Sequence, residues 1–316
     1  MVSTVTSHSN RISAVLKDRA ATARSAVAAS WSRSLVQHGL DPGGPRSPHQ
    51  LSYEEFRETY ERVAPMVHSA QETLDRLFQS VAEVGCCIVL SDPDGVILDR
   101  RVSSREHLAF HDLRPGMVWS ERSAGTNGLG TSLLEGRPMT IHRDQHFMAR
   151  HIEMSCTAAP IRDAGGRIAG ALDVSVASNG LTGAMLRLIE AAACDAAQRI
   201  EARHFRDTFH DARIMMLPEA NAAIAIDRHD LVIGANYAAR RGYGLTDQDL
   251  ARPFPASQIL FPTQAADDSL EAAEQGVLRR ALSRAHGNIS AAAQALGISR
   301  ATLHRKLARR RPGSDS

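Results

Sequence analysis

Lysine is nearly absent from this chain of 316 residues: only Lys17 and Lys306 occur. That scarcity excludes a P-loop, whose GxxxxGK[ST] sets a lysine against the β- and γ-phosphates. Lys17 follows Leu16 and Lys306 follows Arg305, so neither has the required glycine before it. Cysteine is sparse too. Cys86, Cys87, Cys156 and Cys194 form no CxxC pair, which speaks against structural zinc. A disulfide scaffold needs denser cysteine. No apolar run reaches the ~18 residues of a membrane helix, and the first thirty residues lack the apolar stretch of a signal peptide. A cytoplasmic protein with reduced thiols and no membrane contact is expected.

Acidic residues are missing from one end. Residues 276–311 hold nine Lys/Arg and no Asp or Glu, whereas residues 1–275 hold 28 Lys/Arg against 34 acids. The net charge of +2 hides this split. A basic end on an acidic body reads either as a nucleic-acid-binding module or as a solvated tail.

What the sequence does contain is a change of period along the chain. Residues 11–38 read as a helix that stops at Gly39 before a Pro/Gly break. Ser52 and Glu55 form a capping box for the next helix, in which Leu74, Leu77, Phe78 and Val81 keep an apolar stripe. Pro65 is expected to kink or divide it. "CCIVLSDPDGVILDRR" then reads as a hairpin, "PMTIHRDQHF" opens on a strand, and "SCTAAPIRDAGGRIAGALDVSVAS" gives two more. Helices at both edges of an antiparallel sheet make an α+β sensor-like domain over about residues 60–200. A long helix over 183–212 carries Leu186, Ile189, Ala193, Ala196 and Ile200 in one seam. That seam serves either a coiled coil between protomers or packing on the helix's own sheet. Residues 221–245 read as strand, turn, strand and short helix, and a loop-rich linker follows.

The C-terminal stretch has helix-turn-helix spacing. Asp268 and Glu271 suit a capping box for a helix over 269–285 that ends at Gly287. Ser290 is expected to cap a second helix, Gly297 to supply the turn, and Ser299 to cap a third helix with Leu303 and Leu307 inside. Arg300 and Thr302 lie at the end of a recognition helix that meets base edges. Arg305, Lys306 and Arg309 are placed for phosphate contact.

"GNISAAAQALGISRATLHRKL" resembles the Fis-type helix-turn-helix of bacterial regulators. "SWSRSLVQHGLDP", "GMVWSERSAGTNGLGTSLLEGRPMTIHRDQHF" and "SCTAAPIRDAGGRIAGALDVS" occur in the order seen in the acetoin-catabolism-regulator type of transcription factor. The resemblance implies an N-terminal helical segment (1–58), a GAF-like sensory domain (59–204) with the linker helix, a PAS-like partial domain (215–262) and the Fis-type domain (268–311). It also implies double-stranded DNA with a palindromic operator as partner, a small-molecule effector, a homodimer, and a nucleoid-associated location. Ser299, Arg300, Thr302 and Arg305 match the family's DNA-contact positions. Many such regulators carry an ATPase of ~230 residues between sensor and helix-turn-helix. Here that domain and its GAFTGA loop are absent from the sequence. The expectation is a regulator that works with RNA polymerase or another factor and without its own ATPase.

Trp119, Ile141 and Phe147 are expected as apolar walls of an effector pocket, with Glu121, Thr126, Asn127, His142 and His146 as polar contacts and Cys156 opposite them. "ERSAGTNGLGT" has its glycines in the reverse of the dinucleotide order and no following lysine, so it is not read as a phosphate cradle. Gly125 and Gly128 are expected to shape its turn, with Asn127 bonding the local backbone. No catalytic residue, cofactor or metal is expected. The competing readings are a cysteine-dependent reductase on the GAF fold, which needs Cys86 near Cys156, and a DNA-architectural protein with a degenerate sensor.

Overall fold

The computed structural model describes residues 2–18, 20–45, 48–177, 180–260, 274, 277–278, 281–282, 285 and 288–308. The chain divides into two units, Met1–Pro253 and Phe254–Ser316.

The first unit opens with helices α1 (Val2–Lys17), α2 (Ala21–Arg24) and α3 (Ala26–Ser32), followed by a π-helical turn at Arg33–Gln37. One helix over 11–38 was expected; it is interrupted at Asp18 and Ala20 and again at Ser25. Ser25 is extended and its Oγ accepts from the Ala28 N–H, so a serine side chain starts a new helix there. Gly39 ends the segment at φ +62°, as its position predicts.

A short strand β1 (His49–Gln50) precedes α4 (Tyr53–Val81). Ser52 and Glu55 make the reciprocal capping box. Pro65 neither ends nor divides this helix. Its ring costs one backbone bond, and the flanking Met66, Val67 and Ala70 are buried in the core, so packing outweighs the break.

Strands β2 (Cys86–Ser91) and β3 (Ile97–Val102) form the expected hairpin. After β4 (Met117–Val118) come α5 (Glu121–Ala124) and α6 (Gly128–Glu135), then β5 (Met139–His142), β6 (Ser155–Arg162) and β7 (Ile168–Val176). The sheet is antiparallel in the order β3-β2-β7-β6-β5. The period-2 alternation sends Cys86, Ile88 and Leu90 of β2 to one face and Cys87 and Val89 to the other. Helices α4 and α7 (Gly183–Thr208) cover the first face; Trp119, Ala124, Leu129 and their neighbours cover the second. Ile189, Ala193, Ala196 and Ile200 are buried against this sheet, so those seam residues are spent inside the protomer. The helix stops at Thr208, short of 212, where β8 (Arg213–Met216) begins. That strand was not anticipated. It pairs with β9 (Ala223–Ile226), which pairs with β10 (Leu231–Ala235), and Phe205 of α7 and Phe209 just after it pack on this small sheet. Helices α8 (Tyr237–Tyr243) and α9 (Asp247–Ala251) follow.

In the second unit, α10 (Ser257–Leu260) precedes α11 (Ile289–Ala295) and α12 (Arg300–Ala308). Positions 274, 277–278 and 281–282 are helical, within the expected 269–285. Asp268, Glu271, Gly287 and Arg309 lie outside the described residues. Leu278, Ala281, Ala292, Ala293 and Leu303 form the core of this unit.

Candidate functional site

The glycine loop is held by Asn127. Its Oδ1 accepts from the Gly130 N–H at 2.8 Å, capping α6, while its Nδ2 donates to the Trp119 and Gly125 carbonyls at 3.1 and 2.8 Å. One buried amide thereby ties the start of α6 to both ends of the preceding turn. Gly125 takes φ +68°, as expected of a turn glycine. Gly128 does not; it lies in α6, where a Cβ would stand 2.7 Å from Cys156 Cβ and 2.8 Å from Asp173 Oδ1. At Gly130 a Cβ would meet the Glu121 nitrogen and the Trp119 oxygen at 2.5 Å. These two glycines let α6 lie on the sheet and on the α5 backbone.

A polar cluster joins this loop to the N-terminal helices. Glu121 Oε1 accepts from Arg33 Nε at 2.6 Å, and Oε2 accepts from Ser30 Oγ at 2.5 Å and from Thr131 at 3.3 Å. Ser30 Oγ also lies 2.7 Å from Thr126 Oγ1. Arg33 reaches Glu135 as well, and its bond to Glu121 raises its pKa against the opposing pull of burial. Ser30, Glu121 and Thr126 are all buried.

The remaining predicted residues fall into two further groups. Trp119 and Cys156 share the apolar cluster on the second face of the sheet, where Trp119 stacks on His151 at 4.7 Å. Ile141 is buried in β5 beside Cys156. Half-buried His142 bonds Ser155 Oγ at 2.7 Å, and its pKa is lowered by burial and then by Arg143. His146 is fully buried, with Nε2 3.2 Å from Cys156 Sγ; burial pushes its pKa down to about 4. Phe147 packs with Ile12, Trp31, Leu40 and Met148. Of the nine expected pocket residues only His142 is less than fully buried, and each polar one has a partner inside the chain. A cleft of about 360 Å³ lies beside Trp31 and Arg11, and one of about 400 Å³ between α4 and β3. Neither is lined by any of the nine. Among the described residues no group of three or more His, Cys, Asp or Glu is placed to hold a metal, and no helix is long and apolar enough to cross a membrane.

Sequence reasoning overlooked Ser30, Arg33, His151, Asp173 and Ser175. Asp173 and Ser175 did carry a signal, for they are polar residues two apart in the otherwise apolar strand "LDVSV".

In the second unit Asn288, not Ser290, caps α11; its Oδ1 accepts from the Ser290 and Ala291 N–H groups. An asparagine two residues earlier leaves Ser290 inside the helix. Gly297 makes the turn at φ +63°, and Leu303 is fully buried. Ser299 Oγ accepts from the Thr302 N–H at 3.1 Å and lies 2.8 Å from Thr302 Oγ1. Arg300 and Arg305 are exposed, Thr302 is half-buried, and half-buried Lys306 pairs with Glu274.

Residues 9–201 match the family model described as the MimR N-terminal domain. The chain belongs to that family. Residues 269–309 match the bacterial regulatory protein, Fis family. The chain is similar to the acetoin catabolism regulatory protein of Cupriavidus necator, 34% identical over 241 residues, which are 72% of this chain and 35% of that protein. It is 30% identical over 155 residues to the propane 2-monooxygenase operon transcriptional activator MimR of Mycolicibacterium smegmatis, covering 48% of this chain and 25% of that one. The acetoin dehydrogenase operon transcriptional activator AcoR of Bacillus subtilis is 28% identical over 186 residues, 57% of this chain and 30% of its own. The matches thus span about a third or less of these relatives. The chain also resembles in fold the E. coli DhaR(N)–DhaL complex structure, with a TM-score of 0.50 and 22% identity over 70% of this chain and 76% of that one.

Proposed function

We propose that this protein is a sequence-specific DNA-binding transcription regulator that senses a small molecule through a GAF-like domain and acts without its own ATPase. The observation that carries this reading is the Fis-family match at 269–309 on a stretch where residues 276–311 hold nine Lys/Arg and no acid. Exposed Arg300 opens α12, the end of a recognition helix that reaches base edges. Arg305 and Arg309 add phosphate contacts; Lys306 joins them only by leaving Glu274. The relatives are named as regulators and activators, which supports the same role here.

The proposed domains are an N-terminal helical segment (1–58), the GAF-like sensor (59–204), a PAS-like part (215–262) and the Fis-type end (268–311). The effector is taken by the loop face of the sheet, around Trp119, Asn127, Ile141, His142, His146 and Cys156. Glu121, Thr126 and Phe147 act from the contact with the N-terminal helices. Admission requires that layer to open, so effector binding and release of the helices are coupled. The DNA-bound form is a homodimer on a palindromic operator, and it works with RNA polymerase or another regulator. The reductase reading loses ground because Cys86 and Cys156 face opposite sides of the sheet and burial raises both thiols, Cys86 to about 11.

Gel shifts of the full chain and of Arg300→Ala test the proposal. The variant should lose about 1–3 kcal/mol of preference for the operator over unrelated DNA while keeping its fold. Unchanged selectivity would sink the readout role, and a wild type with no preference at all would favour the architectural reading.

A further inference from the structure

Four side chains on the second face of the sheet form one buried chain of contacts. Ser175 Oγ lies 2.6 Å from Asp173 Oδ2 and 3.0 Å from Cys156 Sγ. Cys156 Sγ lies 3.2 Å from His146 Nε2, and His146 Nδ1 lies 2.9 Å from the Arg143 carbonyl. The protons can be assigned in order. A carbonyl only accepts, so His146 Nδ1 carries the ring proton. Burial keeps the imidazole neutral, so Nε2 accepts, and the Cys156 thiol donates to it. The contact between Ser175 and Cys156 must then use the Ser175 proton. Nothing is left for the 2.6 Å contact to Asp173 unless the carboxyl supplies it. Four contacts need four protons; His146, Cys156 and Ser175 give three.

The surroundings of Asp173 agree. It is 2% exposed, and its Oδ1 has no hydrogen-bond partner among the described residues. Facing it are the Cys87 thiol of β2, the Cys156 thiol of β6, Ser175 on its own strand and the backbone of α6 at Gly128. His146 and His151 on the loops above are held neutral by burial, and Arg100 of β3 acts on Cys87. Among the described residues no cation touches the carboxyl, and burial pushes its pKa up to about 7. At its far end the relay reaches another element. His8 Nε2 of α1 stands 3.0 and 3.1 Å from the backbone oxygens of His146 and Phe147.

We propose that Asp173 carries a proton in the folded chain below neutral pH and that the Asp173–Ser175–Cys156–His146 relay is a one-proton switch controlling how firmly α1 is held. When Asp173 ionises, its carboxylate draws the Ser175 proton to itself. Sulfur and hydroxyl oxygen then face each other with no proton between them. Cys156 and His146 shift, and with them the backbone that His8 grips.

The test uses the full chain. At about pH 6 the infrared difference between wild type and Asp173→Asn should contain a protonated-carboxyl C=O band beyond the one that Glu201 gives in both. Hydrogen exchange in α1, corrected for intrinsic rate and referred to α4, should rise about threefold or more between about pH 6 and pH 8 in the wild type. In Asp173→Asn it should stay flat, because the amide N–H serves Ser175 at every pH. Cys156→Ser, which keeps one proton and an acceptor, should retain the pH response; Cys156→Ala should lose it. Absence of the carboxyl band difference, or the same α1 response in Asp173→Asn as in wild type, overturns the proposal. If Asp173→Asn does not fold, the two Cys156 variants decide: equal behaviour in both refutes the relay.

Discussion

Replacing Gly130 by alanine sets two principles against each other. Gly130 lies in the first turn of α6, where alanine is favoured over glycine by ~1 kcal/mol in helix propensity. The added methyl carbon, however, would sit 2.5 Å from both the Glu121 nitrogen and the Trp119 oxygen. Both are backbone atoms, so neither can swing aside. Overpacking costs about 1–3 kcal/mol even where side chains yield, and a clash with fixed backbone belongs at or above the top of that range. The net expectation is a loss of about 2 kcal/mol. Urea unfolding followed by tryptophan fluorescence reads it, since the only two tryptophans, Trp31 and Trp119, are both buried near this loop. In a thermal melt the shift is about 4–8 °C downward. Gly183→Ala is the internal control. Gly183 opens α7, and its nearest neighbour within reach is the flexible end of Arg187 at 3.6 Å, so alanine should be neutral or stabilising there. If Gly130→Ala matches or exceeds the wild type, close backbone approach is not the reason for the glycine.

Glu121→Ala strands Ser30 and partly buried Arg33, so urea melts should show a loss of about 3 kcal/mol and proteolysis should strike α1–α3 first. Burial pushes the Glu201 carboxyl, which accepts from the Arg162 N–H, up to about 7. Because the folded pKa lies above the ordinary value of 4.5, its contribution is complete below that value and is lost as pH rises to about 7. Glu201→Gln should therefore gain stability relative to wild type as pH rises through that window, and a widening deficit would refute the assignment. Thiol titration of the native chain should label half-buried Cys194 first, with Cys86, Cys87 and Cys156 reacting only on unfolding.

The sheet was legible because its strands alternate and its turns carry Gly and Asp, and α4 because Ser52 and Glu55 form a capping box whose pattern needs no tertiary context. The errors lie where long-range packing overrides a local rule. Pro65 stays within α4 because its neighbours are buried. Strand β8, "RIMM", exists only through its partner β9, and its four residues carry no alternation of their own. At the candidate site the residue types were visible, but their partners were not. Glu121 and Phe147 meet elements about ninety to 140 positions earlier in the chain, at Arg33 and His8, and no spacing rule links them. Gly128 reads as a turn residue in sequence and proves to be a contact glycine against Cys156 and Asp173.

On the proposed function, the basic end reads a DNA sequence under control of the sensor. Selection of genomic fragments by the full chain, followed by footprinting of the recovered DNA over a range of salt concentrations, tests this reading. One two-fold symmetric protected site is expected, with an affinity that falls with salt and exceeds that of random DNA by about 10³-fold or more. Recovery of fragments with no common site, bound equally tightly, would contradict it.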